Sequence, residues 1–298
     1  MIVAQISAGI GNQLFQYATS RSLSLRTGSP LRLDLAYYRV RPNRAYRLGA
    51  YDLEAREASD RELEPFLSPL HRRRFVRGAV FAGNRMLPFQ RRRIVIEPPP
   101  HLARFDSRLL HLNAPVYLAG FWQCERYFAD HAAIIRNELT LRTPVPACYQ
   151  EALGMIDSCD SVGLVVRRGD YLGIANTQGI CTLDYYRMAL EHVTKLLPNR
   201  RVFVFSDDIP WCREHLAWES STVFVPNETL DCPEEHLRIL SRCRHFIVAN
   251  SSFAWWGAWL GTSAEKLVLA PPVWMRQARG FEDMIPSSWI RIQSALAD

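Results

Sequence analysis

The amino-acid sequence predicts an α/β protein with a parallel sheet in its C-terminal half. Between Val162 and Ala270, short apolar runs that are typical of buried strands alternate with runs of helical periodicity. Such alternation is typical of βαβ crossovers, which join parallel strands. The chain also opens with a strand–loop–helix–strand pattern, so α/β structure is expected at both ends.

Two domains are expected from the length of the chain. At roughly 150 residues per domain, 298 residues correspond to two domains or one large one. The proline-bearing segment Thr143–Ala147 is the best candidate for a linker. We therefore predict an N-terminal domain over 1–146 and a C-terminal domain over 147–298. The hydrophobic content of 48% excludes a disordered chain.

The N-terminal half begins with closely spaced elements. Met1–Ile6 is an apolar strand, and Ser7–Gly11 is a loop of small residues. A helix then continues to about Thr27, where Gly28 ends it. Further predictions are a strand at Leu31–Leu35, loops and short helices over Arg39–Pro100, a strand at Val116–Ala119 and a helix at Glu125–Leu139.

Strands and helices alternate in the C-terminal half. The predicted strands are Val162–Val166, Val202–Phe205, Thr222–Val225, His245–Ala249 and Lys266–Ala270. The predicted helices are Leu183–Leu197, Pro210–Leu216, Pro233–Cys243 and Ala254–Leu260.

Positive charge is concentrated in one stretch of the chain. Eight arginines lie between Arg72 and Arg93 with no acidic residue among them, so the rest of the chain is slightly acidic although the net charge is +6. One local patch argues against a general nucleic-acid-binding surface. The patch fits a solvated loop cluster, and it also fits an electrostatic anchor on an anionic membrane.

No segment has the features of a membrane span or a signal peptide. The apolar runs stop far short of the roughly 20 residues that a helix needs to cross a bilayer, and Met1–Ile6 begins without the basic n-region of a signal peptide. The seven cysteines are odd in number and form no Cys-x-x-Cys pair, which fits a reducing compartment. We expect a cytoplasmic protein, either free or held peripherally on the inner membrane by the basic patch.

Polar clusters follow three of the predicted strands. They are Arg167-Arg168-Gly169-Asp170-Tyr171, Ser206-Asp207-Asp208 and Asn250-Ser251-Ser252. Because ligands of open α/β sheets bind at the carboxyl ends of the strands, these clusters are expected to converge on one cleft. The arginines could bind a diphosphate, the serines could precede a helix N-terminus that binds an anion, and the aspartates could accept from a purine or a ribose.

Each cluster also has an ordinary structural interpretation. Adjacent arginines are commonly a surface pair, and the aspartate and serine pairs fit helix N-caps. Trp255, Trp256 and Trp259 recur at helical spacing, which favours core packing over substrate contact. The position of all three clusters after strands is what favours a binding site.

A glycine-containing loop opens the chain. Gly9-Ile10-Gly11-Asn12-Gln13-Leu14 begins like a dinucleotide fingerprint, and Asp34 ends the next strand where a ribose acceptor would stand. Leu14 occupies the third glycine position, where a side chain obstructs close helix–strand packing. This disfavours a nicotinamide site, and the loop is expected to bring the Asn12 and Gln13 amides to a strand end.

Four motifs, in order along nearly the whole chain, resemble those of the alpha-1,2-fucosyltransferases, glycosyltransferase family 11. They are Ser7–Ala18 (SAGIGNQLFQYA), Val166–Leu172 (VRRGDYL), Phe205–Asp208 (FSDD) and Asn250–Leu260 (NSSFAWWGAWL). The resemblance implies a fold of the GT-B type, with two Rossmann-like domains facing a cleft. It also implies an inverting transfer of fucose from GDP-fucose. Val165 stands where the family usually has a histidine, and Ala8 where it usually has a glycine.

The resemblance assigns roles to the residues of these motifs. The catalytic residues that it implies are Arg167, Asp170 and Asn12. Asp170 is the nearest carboxylate that could act as a base, although it could instead orient an arginine while Asn12 gives weak assistance. The implied donor-binding residues are Arg167, Arg168, Asp207, Asp208, Asn250, Ser251, Ser252, Phe253, Gly11 and Gln13.

The expected reaction uses GDP-fucose as a donor substrate and needs neither a cofactor nor a metal. Breaking the sugar–diphosphate bond leaves negative charge on GDP, and the chain has no Asp-x-Asp motif and no clustered histidines to hold a metal. Arg167, Arg168 and the helix that starts near Phe253 would then neutralise this charge.

Two other functions stay open on the sequence alone. A non-catalytic GDP-sugar- or glycan-binding module would keep the arginines without needing Asp170 and Asn12. A nicotinamide oxidoreductase would need the glycine fingerprint that Leu14 interrupts. The expected acceptor is the 2-hydroxyl of a terminal galactose in a surface glycan or its lipid-linked precursor. Acceptor choice would depend on Arg39–Arg93, which carries no recognised motif.

Overall fold

The computed structural model divides the chain into two compact units, Met1–Thr140 and Leu141–Asp298. The division lies a few residues before the predicted boundary at 146. The structure describes residues 1–41, 44–67, 83–99, 104–169, 173, 180–218, 221–227, 232–275, 282–293 and 296–297. Each unit is described below by itself.

The N-terminal unit contains a five-stranded parallel sheet in the order β3-β2-β1-β5-β4. Its strands are β1 (Ile2–Gln5), β2 (Leu31–Asp34), β3 (Ala55–Glu57), β4 (Ile94–Ile96) and β5 (Val116–Ala119). The three strands with clear apolar runs were predicted correctly. Strands β3 and β4 fall in the stretch predicted as loops and short helices. They lie at the two edges of the sheet and have three residues each, which is too few to show the periodicity of a strand.

The helices in the described part of this unit include α1 (Ile10–Thr27), α2 (Ala36–Val40), α3 (Asp60–Leu67) and α4 (Ala132–Glu138). Helix α1 ends as predicted at Gly28, whose φ of 60° lies in the left-handed region that glycine adopts without strain. Its Tyr17 and Arg21 both contact the Glu138 carboxylate of α4, at 2.6 and 2.7 Å. The prediction of a helix over Glu125–Leu139 is only partly right, because short 3-10 turns replace the first half of that helix.

The C-terminal unit is built around a six-stranded parallel sheet in the order β12-β11-β10-β6-β8-β9. The chain starts at the centre in β6, moves outward to β8 and β9, and then crosses back to β10, β11 and β12 on the other side. The strands are β6 (Ser161–Val166), β8 (Arg201–Ser206), β9 (Val223–Phe224), β10 (His245–Ile247), β11 (Val268–Ala270) and β12 (Ile290–Arg291). A separate antiparallel pair joins β7 (Ile180–Cys181) to β13 (Leu296–Ala297).

This order has a topological switch point between β6 and β10, where α/β sheets bind their ligands. The parallel sheet and all five predicted strands of this half are confirmed, while the two-residue strands β7, β12 and β13 escaped the analysis of periodicity. The helices are α5 (Ala147–Asp157), α6 (Leu183–Leu196), α7 (Ile209–His215), α8 (Pro233–Ser241) and α9 (Ser252–Leu260).

The core of the C-terminal unit contains the predicted tryptophans. Trp255 and Trp256 are fully buried and Trp259 nearly so. Their rings stack or meet edge to face, and the Trp255 indole donates to the Met284 carbonyl at 2.7 Å. These three side chains pack the interior of the unit, as predicted. Among the described helices, none combines the length and the apolar character that a bilayer crossing requires.

Candidate functional site

Three adjacent strands of the C-terminal sheet carry the three polar clusters at their carboxyl ends. The parallel register pairs β6 with β8 through Val166 and Ser206, and pairs β6 with β10 through Leu164 and Ile247. The expected convergence of the clusters on one edge is therefore present within this unit. The predicted residue Asp170 lies outside the described residues.

The arginines after β6 contact the aspartates after β8. Arg167 Nη1 lies 2.9 Å from Asp207 Oδ2, and Arg168 Nε lies 3.4 Å from Asp208 Oδ2. The Arg168 backbone N–H also donates to Asp207 Oδ1 at 2.9 Å. Both arginine side chains remain partly exposed, at 32% and 20%. The aspartates thus hold the arginines in place while part of each side chain stays accessible.

Asp208 also begins helix α7. Its Oδ1 accepts from the Trp211 backbone N–H at 3.1 Å, which makes it the N-cap that the structural interpretation of this residue predicted. The Trp211 ring in turn lies 3.9 Å from Arg168 Cζ, a cation–π contact. Arg168 is therefore held from one side by a carboxylate and from another by an indole ring.

Gly169 is needed for the contact between these two clusters. A Cβ atom at this position would lie 2.7 Å from Asp207 Oδ2, which is closer than carbon and oxygen can approach without displacement. Sequence analysis named Gly169 without giving it a role, and the glycine directly after two arginines was the available signal.

The serine cluster forms the start of helix α9. Ser251 is its N-cap residue in extended conformation and makes no side-chain cap hydrogen bond, while Ser252 and Phe253 are half-buried in the first turn. Free backbone N–H groups at a helix start favour an anion. With Arg167 and Arg168 on the neighbouring strand, this edge of the sheet has the donors that a diphosphate requires.

The Asn250 side chain is buried and hydrogen-bonded within the C-terminal unit. It is 3% exposed, its Nδ2 donates to the Trp274 carbonyl at 3.2 Å, and its Oδ1 accepts from the Cys181 thiol at 3.6 Å. These contacts indicate that the Asn250 side chain fixes the loop between β10 and α9. Its predicted role in donor binding remains a prediction.

His236 on α8 is a buried residue near this edge that sequence analysis missed. Its ring contacts Tyr149, Phe205 and Phe253, and its Nε2 has no hydrogen-bond partner among the residues that the structure describes. Burial lowers the pKa of His236 to about 4, so the ring is neutral near pH 7. A lone histidine within a helix gave no signal that could have identified it.

In the N-terminal unit, the loop after β1 is braced by two glutamines of helix α1. Gln13 is fully buried, donates to the Ala8 and Ala45 carbonyls, and accepts from the Arg47 N–H. Gln16 makes two hydrogen bonds with Ser7. The Gln13 amide thus holds the loop, and its predicted contact with the donor remains a prediction.

The two other predicted residues of this loop are arranged differently. Gly11 is buried in the first turn of α1, whereas Asn12 is half-buried and accepts from Gln123 Nε2 at 2.7 Å through its Oδ1. Ala8 has a φ of 63°, a left-handed conformation that glycine adopts without strain, and stands where related motifs usually carry glycine.

Asp34 cannot serve as a free ribose acceptor. It is 3% exposed, and its carboxylate accepts from the Tyr117 hydroxyl at 2.7 Å and from the Ala36 N–H at 3.0 Å. The carboxylate therefore stabilises the end of β2. This use of Asp34 agrees with the sequence argument against a nicotinamide site.

Comparisons with known proteins agree with one another. The model of glycosyl transferase family 11 matches residues 58–293. An alpha-1,2-colitosyltransferase of Escherichia coli is 28% identical over 98% of this chain and 99% of its own length. A galactoside alpha-(1,2)-fucosyltransferase 2 of Oryctolagus cuniculus is 29% identical over 55% of this chain and 49% of its own.

Among solved structures, NodZ alpha-1,6-fucosyltransferase soaked with GDP-fucose superposes with a TM-score of 0.51 and 18% identity, over 87% of this chain and 91% of that chain. This likeness concerns the fold alone. It agrees with the prediction of two α/β units of the GT-B type, which is confirmed.

Proposed function

Because the chain belongs to glycosyl transferase family 11, we propose that it is an inverting transferase that moves L-fucose from GDP-fucose to the 2-hydroxyl of a terminal galactose. The observation that carries this proposal is the pair Arg167 and Arg168, held by Asp207 and Asp208 at the carboxyl edge of a parallel sheet. The similarity to an alpha-1,2-colitosyltransferase and to a galactoside alpha-(1,2)-fucosyltransferase supports the linkage and the acceptor. The acceptor is then part of a surface glycan or its lipid-linked precursor.

The proposed mechanism assigns charge stabilisation to the C-terminal unit. The acceptor oxygen attacks fucose C1 as the bond from C1 to the diphosphate oxygen breaks, which inverts the configuration and leaves GDP. The negative charge that develops on GDP is stabilised by Arg167, Arg168 and the free N–H groups at the start of α9. The proton of the acceptor hydroxyl passes to a base, for which Asp170 is the candidate.

A second donor is favoured by a specific observation, the full-length similarity to a colitosyltransferase. Colitose is fucose without the 3-hydroxyl, so one site could accept either sugar. A site that hydrogen-bonds the fucose 3-hydroxyl would leave a buried polar group unpaired with colitose and would select strongly against it. The ratio of kcat/KM for the two GDP-sugars therefore identifies the donor.

The test is transfer from labelled GDP-fucose and GDP-colitose to a panel of galactosides, with the product linkage read by NMR. A 2-deoxygalactoside serves as the matched control, because it lacks only the hydroxyl that is proposed to react. We expect an alpha-1,2-linked product with the galactoside and none with its 2-deoxy analogue. GDP binding without turnover of either sugar would instead identify a binding module.

The same assay tests the proposal that no metal is required. Two arginines and a helix N-terminus supply the charge that a metal would otherwise neutralise, so turnover is expected to survive EDTA. Activity that disappears with EDTA and returns only with manganese or magnesium would contradict this.

A further inference from the structure

The loop that follows β5 in the N-terminal unit is held by a carboxylate from the neighbouring strand. Glu97, directly after β4, accepts from the Phe121 backbone N–H at 2.6 Å and from the Trp122 backbone N–H at 3.1 Å. Desolvation raises the pKa of Glu97 although both N–H groups oppose the shift. A carboxylate with two backbone donors fixes both peptide planes of the loop.

The backbone of this loop is strained. Trp122 has a φ of 54°, in the left-handed region that side chains rarely adopt, yet it is 3% exposed and its ring meets Tyr127 edge to face. Gly120 leaves room for this arrangement, because a Cβ there would lie 2.3 Å from Glu97 Cβ. Strained backbone persists where surrounding contacts hold it and commonly marks functional sites.

The residue that this loop presents is Gln123. Its Nε2 donates to Asn12 Oδ1 at 2.7 Å, across 111 residues of sequence and at the start of helix α1. Because the Asn12 oxygen is occupied by this bond, the amide of the half-buried Asn12 offers its Nδ2 hydrogens as donors. The orientation of the Asn12 amide is thus set by Gln123.

We propose that Gln123 is a positioning residue that aims the Asn12 Nδ2 donor at the oxygen of the acceptor hydroxyl. Gln123 is itself held in place because Glu97 accepts hydrogen bonds from the Phe121 and Trp122 backbone N–H groups. The positioning role rests on the proposed function and on the weak assistance to the acceptor hydroxyl that the family resemblance implies for Asn12. Asn12 would recognise the acceptor through one hydroxyl oxygen, which accepts a hydrogen bond from Asn12 Nδ2. Asn12 then orients the nucleophile and does not remove its proton.

The central variant is Gln123→Glu, which removes the donor to Asn12 and turns the Asn12 amide toward the new carboxylate. We expect kcat/KM for the galactoside to fall at least about tenfold, the loss of one oriented hydrogen bond. Hydrolysis of GDP-fucose by water and the Kd for GDP are expected to change less than about twofold, since neither needs an oriented acceptor. A purely structural role would lower hydrolysis and transfer together.

Two further variants separate the parts of the proposal. Asn12→Asp keeps an oxygen for Gln123 but loses the Nδ2 donor, so it is expected to reproduce the selective loss of transfer. Glu97→Gln replaces one of the two carboxylate oxygens that accept from the Phe121 and Trp122 N–H groups and is expected to give the same selective loss with a smaller amplitude. Asn113→Asp, which also changes an amide into a carboxylate but at an exposed position of this unit outside Arg39–Arg93, is the matched control and keeps full transfer.

The outcomes distinguish the inference from the proposed function. Full transfer by a folded Gln123→Glu variant, or equal losses of transfer and hydrolysis, overturns the inference and leaves the function standing. A wild-type chain that transfers neither fucose nor colitose to any galactoside overturns the function and the inference with it.

Discussion

At the scale of single residues, the carboxyl edge of the C-terminal sheet carries pairs of opposite charge. Arg167 and Arg168 each have a carboxylate partner within 3.4 Å. Two cations side by side repel each other, and the aspartates offset that repulsion before any ligand is bound. A diphosphate would meet guanidinium groups whose orientation is already fixed.

Arg167→Ala is expected to lower kcat/KM for transfer by at least about 100-fold, because a charged donor aimed at developing phosphate charge is commonly worth about 3 kcal/mol. Arg167→Lys should restore little, since an ammonium cannot reproduce the guanidinium fork. Steady-state kinetics checks this. Arg242→Ala is the control, because it removes an arginine of an exposed ion pair with Asp157 in the same unit.

His236 gives a prediction about pH. Its pKa of about 4 in the folded protein lies below the ordinary histidine value of 6.5, so the unfolded chain takes up the proton first as pH falls. This histidine therefore lowers the free energy of unfolding as pH decreases from about 6.5 to 4, by at most about 1.4 kcal/mol per pH unit. In denaturant titrations, His236→Phe should show a shallower loss over this range. Parallel pH curves for both proteins would contradict the assignment.

At the scale of secondary-structure elements, helix starts connect stability to the site. Asp208 caps α7 through Trp211 and also pairs with Arg168, so a single carboxylate has two tasks. Helix α9 follows the opposite arrangement, because its N-cap Ser251 makes no side-chain cap hydrogen bond. One helix start is thus closed by its own chain, and the other has N–H groups to offer to an anion.

The two tasks of Asp208 can be separated by substitution. Asp208→Asn keeps a good N-cap but loses the charge, so the free energy of unfolding should change little while GDP binds more weakly. Asp208→Ala should also lose about 1 kcal/mol of stability from the missing cap. Thermal unfolding and calorimetric titration with GDP and ADP measure both effects. Both substitutions remove the carboxylate partner of Arg168, which is proposed to bind the diphosphate that GDP and ADP share, so similar losses of affinity are expected for both nucleotides. A loss of affinity confined to GDP would indicate that Asp208 contacts the guanine.

At the scale of the whole molecule, the basic stretch Arg72–Arg93 remains to be assigned. Half of it, residues 72–82, lies outside the described residues. In the described part, Arg85 is exposed and is followed by Met86 and Leu87, which are 87% and 40% exposed. Basic and apolar side chains that are exposed together are typical of a surface that contacts anionic lipid.

We expect the protein to sediment with anionic vesicles at low salt and to be released as salt is raised, because each basic residue near such a surface contributes about 1 kcal/mol. A variant with glutamine in place of all eight arginines between Arg72 and Arg93 should stay in the supernatant. Equal binding of the wild type to neutral and anionic vesicles would leave the stretch as ordinary solvated surface.

The sequence by itself determined the parallel sheet of the C-terminal unit, the strands that carry the polar clusters and the tryptophan core. Local sequence encodes these features, because a buried strand needs a run of apolar residues and the buried face of a helix needs apolar residues at a fixed spacing. Sequence periodicity did not predict the short strands β3, β4, β7, β12 and β13, because two or three residues are too few to show the period of a strand.

Only the tertiary structure decided how the side chains of these motifs are used. Asp34, Gln13 and Asn250 are polar residues in motif positions, yet hydrogen bonds within their own units engage all three. Gln123 carries no motif signal but orients Asn12 from 111 residues away. A hydrogen-bond partner is set by distance in space, which local patterns do not encode, so the strand ends that carry these residues were predictable and the contacts of their side chains were not.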